Sequence, residues 1–66
     1  MKEIAHMPLT TKELTAIEDA MNHEQLLVKK FRNFASAAKD PAIKQQAEHL
    51  ADRHEQHFNT LMGHLK

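Results

Sequence analysis

The chain has 66 residues with no cysteine and no tryptophan, a single glycine, two prolines, and no excess of charge of either sign. Each scarcity excludes something. Without cysteine there are no disulfides and no thiolate metal sites. A domain below the ~70–80 residues at which one core becomes comfortable must then rely on regular helix packing, oligomerisation or a metal held by other side chains. Nine basic residues balance nine acidic ones. The cluster Lys29, Lys30, Arg32 is interrupted by Phe31, so it reads as a solvated helix face, and nucleic acid is not an expected partner. No apolar run approaches the ~18 residues that span a bilayer, and nothing at the N-terminus resembles a secretory signal. A membrane partner is therefore not expected, and the chain reads as cytoplasmic.

The scarcity of glycine and proline exposes the organisation. Residues 1–9 form a short arm, in which Pro8 biases Met7 away from helical geometry. Thr10 is a good N-cap, Glu13 stands three residues on as the partner of a capping box, and Leu9 is spaced to staple onto Leu14. From there to about residue 39 nothing breaks a helix, which predicts a first helix of about 11–39, roughly 40 Å long. Asp40-Pro41 ends it and restarts the next, because proline at the first helical position gives up an N–H that the first turn leaves unpaired anyway. The second helix is expected over about 41–62, with Gly63 as its stop. So short a link makes the two helices antiparallel neighbours. The fold class predicted for 10–66 is therefore all-α, an antiparallel helical hairpin.

Each predicted helix carries an apolar seam. Leu14, Ile17, Met21, Glu24, Val28, Phe31, Ala35 and Ala38 step by three and four along one stripe; Ile43, Ala47, Leu50, His54, His57 and Leu61 do the same. Three members are polar: Glu24, His54 and His57. A carboxylate and two imidazoles on a buried seam are costly unless a metal ion or a shared proton network satisfies them. Counted from a turn near residues 39 and 40, Glu24 lies about fifteen residues before it, and His54 and His57 about fifteen and seventeen after, which puts all three within about one helical turn of the same level. Residues three apart project the same way, so His54 and His57 can grip one ion while Glu24 faces them. Two imidazoles and one carboxylate form a facial set used for divalent metals, including Fe(II) and Zn(II). Taken singly, each residue has an ordinary explanation, a core histidine bonded to a carbonyl or a glutamate paired with lysine. Their coincidence at one level singles them out as metal ligands. His23 and His49 point away from the seam centres, and His6 and His64 lie near the chain ends.

Leu27 and Phe34 flank the first seam, and Ala51 and Phe58 the second, so each stripe is wide enough to meet more than one neighbour. Two hairpins paired about a two-fold axis would close a four-helix bundle and cover both, so a homodimer is expected.

The stretch from Leu14 to Leu65 resembles the small spore coat protein F-like family. The residues that carry the resemblance are Glu18-Asp19, Asn22-His23-Glu24-Gln25, Asp40-Pro41 and His54-x-x-His57 followed by Leu61. More distantly it is similar to half of a ferritin-like or rubrerythrin-like domain, where a Glu on one helix and a Glu-x-x-His on the next bind two irons in a four-helix bundle. Glu24 matches the first Glu and His57 the His, while His54 stands where the second Glu belongs. The resemblance implies a ferritin-like dimeric bundle, a structural or interaction role in the spore coat with other coat proteins as partners, and a metal centre. The imidazole-rich set suits Fe, Zn, Ni or Cu better than Mg or Ca. Two alternatives stay open: a metal-dependent oxidoreductase or oxygen- or peroxide-handling iron protein, and a metal-free helical adaptor. No nucleophile elbow, phosphate loop or general-base pair is present, which disfavours hydrolase and transferase chemistry.

Overall fold

The computed structural model describes residues 9–65, and among them it contains two helices and no strand. Helix α1 spans Thr11–Ala37 and α2 spans Pro41–Gly63. Of the expected arm only Leu9 falls within the described residues. The capping box forms as expected. The Thr10 N–H donates to Glu13 Oε1 at 2.9 Å, and the Glu13 N–H donates to Thr10 Oγ1 at 3.0 Å. Two of the donors that a helix start leaves unpaired are thereby satisfied.

α1 ends two residues earlier than the sequence suggests. Ala38 is already extended (φ −71°, ψ 135°), although its N–H still donates to the Phe34 and Ala35 carbonyls. The reason lies downstream: Asp40 precedes a proline and must itself be extended (φ −77°, ψ 120°), so the reversal needs residues 38–40 outside either helix. Asp40 then caps α2, with the Ala42 N–H donating to its Oδ1 at 2.8 Å, and Pro41 occupies the first turn.

The far end of α2 also departs from expectation. Gly63 is the last helical residue rather than a left-handed stop, and no described glycine has a positive φ. The helix instead closes with His64 and Leu65 donating to the Leu61 and Met62 carbonyls at 3.0 Å each. These tighter, three-residue bonds satisfy carbonyls that a helix end leaves free.

The contacts between helices run in reverse order, Glu24 against His54 and His57, and Arg32 against Asp52 and Glu55, which makes the pair antiparallel. The molecule measures 50 × 22 × 11 Å. One dimension is a single helix diameter, so only the line of contact between the helices is shielded. Along that line the fully buried residues are Ala35, Ala47 and Ala51, and no larger side chain is fully enclosed.

The seam on α2 is rotated from the expected one. Ala51, placed by sequence at the flank, has no exposed surface, and Phe58 is half-buried, whereas the predicted seam residues Ile43 and Leu50 are 45% and 38% exposed. Leu14 on α1 is likewise exposed. The stripe that faces α1 runs Lys44, Ala47, Ala51, His54, Phe58, Leu61. Alanines at two successive turns let the helix axes approach closely, and packing takes that phase in preference to one with Leu50 wedged between the helices.

Candidate metal centre

Glu24 stands midway along α1, and His54 and His57 stand one turn apart on the second half of α2. His54 Nδ1 lies 2.6 Å from Glu24 Oε1, and His57 Nδ1 lies 3.6 Å from the same oxygen. One ligand atom from each of the three falls within 4.8 Å of the others. The three residues singled out by sequence are therefore brought together. They differ in burial: the Glu24 and His54 side chains are 17% and 21% exposed, and His57 is 51% exposed. The rotation of α2 explains the difference, since it turns His54 inward and leaves His57 at the margin.

A residue that sequence reasoning assigned only to the core also belongs to the site. The Phe31 ring stacks on the His54 imidazole, with centroids 5.7 Å apart and planes within 5°. The His57 ring meets His54 edge-on at 5.3 Å. His54 is thus clamped on two sides, which fixes the direction of Nδ1. The signal for Phe31 was its place on the stripe seven residues after Glu24. His23, His49 and His64 are exposed and outside the cluster. His6 lies outside the described residues.

The hydrogen bond from His54 holds the Glu24 carboxyl below its ordinary value of 4.5; partial burial opposes this, and the positive charge that His54 and His57 can carry adds to it. Because the folded value lies below the unfolded one, the carboxylate contributes stability that is complete above about 4.5 and is lost as pH falls through the lowered value. Parent protein is therefore expected to melt at a higher temperature than Glu24→Gln near neutral pH. The gap should close as the solution is acidified below 4.5. Circular dichroism melts at several pH values check this; a gap that persists undiminished at pH about 3 would assign the difference to packing instead.

No protein-family model, no curated protein and no solved structure matches this chain.

The site's chemistry is thus read from its own donors. Glu24 Oε1 and His54 Nδ1 lie in hydrogen-bond contact at 2.6 Å, with His57 Nδ1 3.6 Å from the same oxygen. A divalent cation would displace this hydrogen bond, the Glu24 and His54 atoms parting to admit bonds of ~2.0–2.2 Å, with a carboxylate offsetting one of its charges and two neutral nitrogens completing a facial set. Binding would compete with protons at all three groups, so affinity falls with falling pH. Elsewhere the charged side chains serve the scaffold. Arg32 bonds Glu55 at 2.7 Å and Asp52 at 3.2 Å along one edge of the hairpin, and Glu55, then Asp52, hold its guanidinium above its ordinary range. All three are well exposed, so the network orients more than it stabilises.

Proposed function

We propose that this chain is a small structural or interaction protein that binds a divalent transition metal through Glu24, His54 and His57. The observation that carries the reading is the convergence of these three ligands, within 4.8 Å, from two helices whose fully buried residues, Ala35, Ala47 and Ala51, are all apolar. Two imidazoles and one carboxylate favour Zn(II) or Fe(II) over Mg(II) or Ca(II), whose sites are built from oxygen. A spore-coat setting with other coat proteins as partners is part of the proposal and rests on the resemblance described above. So does pairing of two hairpins as a four-helix bundle of ferritin-like form. His54 in place of a carboxylate weighs against a dinuclear iron centre, where bridging carboxylates hold the ions together, and hence against an oxygen-activating enzyme.

Titration of untagged protein with Zn(II), and with Fe(II) under anaerobic conditions, tests the reading, alongside elemental analysis of the purified chain. The expected result is one ion per chain, bound more weakly as the pH is lowered. The 2.6 Å bond between His54 and Glu24 favours a second reading, a metal-free polar clasp in a helical adaptor. Absence of calorimetric binding by either metal would select that second reading. Rapid oxygen-dependent oxidation of Fe(II), lost in Glu24→Gln, would instead favour the enzyme.

A further inference from the structure

The two long edges of the hairpin are chemically unlike. At 3.6 residues per turn, Arg32 on α1 and Asp52 and Glu55 on α2 fall on one side of the plane through the helix axes, and their ion pairs confirm it. The same phase places Leu27 and Phe34 of α1 on the other side with Ile43, Leu50 and His57 of α2. Phe34 is 57%, Ile43 45% and Leu50 38% exposed, so this edge is largely apolar and uncovered in a single chain, with the charges of Lys30, between Leu27 and Phe34, and of Arg53 at its margins. His57, the most exposed ligand of the candidate metal centre, opens onto it.

We infer that the apolar edge is the seat of a second copy of this chain, and that pairing there and metal binding at Glu24, His54 and His57 strengthen each other. Three observations select a second copy as the occupant. A single hairpin fully encloses nothing larger than alanine, so its large side chains need a cover that is present whenever the chain is folded. A molecule 50 Å long and 22 Å wide offers a broad side large enough for the ~800 Å² per partner of a stable interface. The strip is apolar at its centre and carries charge only at its margins, whereas the other edge would set two networks of Arg32, Asp52 and Glu55 against each other. The coupling follows from His57. A second copy over this edge would exclude water around it and restrict its rotamers, which favours the ligand geometry, and reciprocity requires the ion to tighten the dimer by the same factor.

The linkage rests on the metal reading above, whereas the docking surface does not. Sedimentation equilibrium of the full chain, with EDTA and with Zn(II), is run on the parent, on Phe34→Glu and Leu50→Lys at the apolar edge, and on Glu55→Lys at the charged edge. Circular dichroism confirms that each variant is helical. The expected results are a parental dimer tightened at least about fivefold by Zn(II), the lower end of typical coupling, monomeric Phe34→Glu and Leu50→Lys, and a dimeric Glu55→Lys. A parent monomeric at about 100 µM, a hundredfold above the ~1 µM dissociation constant of an association worth about 8.2 kcal/mol, with and without Zn(II) would overturn the surface. Dissociation by Glu55→Lys but by neither apolar-edge variant would place the interface on the wrong side and overturn it too. Zinc bound by the parent with no effect on its dimerisation would overturn the linkage alone. A dimer that binds no zinc but dissociates in Phe34→Glu would uphold the surface and overturn the metal reading together with the linkage.

Discussion

The double variant His54→Ala, His57→Ala is expected to lose zinc binding by more than about a hundredfold, because altering even outer partners of metal ligands costs 10–100-fold and here two of three direct donors disappear. The loss should also be visible as stability. A ligand at about a hundred times its dissociation constant stabilises a folded protein by about 2.7 kcal/mol. At about 4–8 °C per kcal/mol for a domain near this size, zinc should raise the parent's melting temperature by roughly 10–20 °C and leave that of the double variant unchanged. The comparison is of each protein with and without zinc, so the clasp that both alanines remove does not enter the difference. Equal zinc-dependent shifts in the two proteins would place the ion elsewhere. Replacing His57 alone should weaken binding less than replacing His54, which is held between Phe31 and Glu24 while His57 is half exposed.

Ala51→Leu is expected to have the largest effect on the fold itself. Ala51 has no exposed surface and sits where the helices approach, so three added carbons must push them apart. Overpacking of this kind costs about 1–3 kcal/mol. So small a core supplies only about 3–5 kcal/mol in all, so the substitution should remove a large share of the stability and, at the upper end of its cost, leave about half the population unfolded at room temperature. Leucine and alanine differ little in helix propensity, so a lower urea midpoint reports the contact between helices and not the helix alone. Ala42→Leu, at an exposed position of the same helix, serves as the control and should melt like the parent. A parental midpoint for Ala51→Leu would remove Ala51 from the point of closest approach. Phe31→Ala should be costly as well. Phe31 is only half-buried in one hairpin, however, and the loss should fall short of the ~3–5 kcal/mol of a fully buried phenylalanine.

The helices, their starts and the turn between them were legible because the forces that set them act within a few residues. Thr10 with Glu13, and Asp40 with Pro41, satisfy or remove unpaired N–H groups by contacts no more than three positions apart, and those contacts appear in the structure as expected. The level of the site was legible for a related reason. Once the turn is placed, a rigid rise per residue dictates that Glu24 meets His54 across an antiparallel hairpin, and they do meet, at 2.6 Å.

The rotation of α2 was not legible. The stripe expected from sequence, Ile43-Ala47-Leu50-His54-His57-Leu61, and the one that faces α1, Lys44-Ala47-Ala51-His54-Phe58-Leu61, share Ala47, His54 and Leu61 and have the same three-four spacing. Periodicity cannot separate them, because a stripe wider than one residue fits both phases. What separates them is how closely two particular helices can approach: alanine at 51 allows the contact and leucine at 50 would hold it open, a property of the facing surfaces jointly. That one choice leaves Ile43 and Leu50 on the surface and His57 half exposed, and sends Arg32 to Asp52 and Glu55 on the opposite edge. Sequence alone determined which residues could form the centre, since spacing and rise are local; only the packing of one helix on the other decided which ligand is shielded and which edge of the hairpin is left apolar.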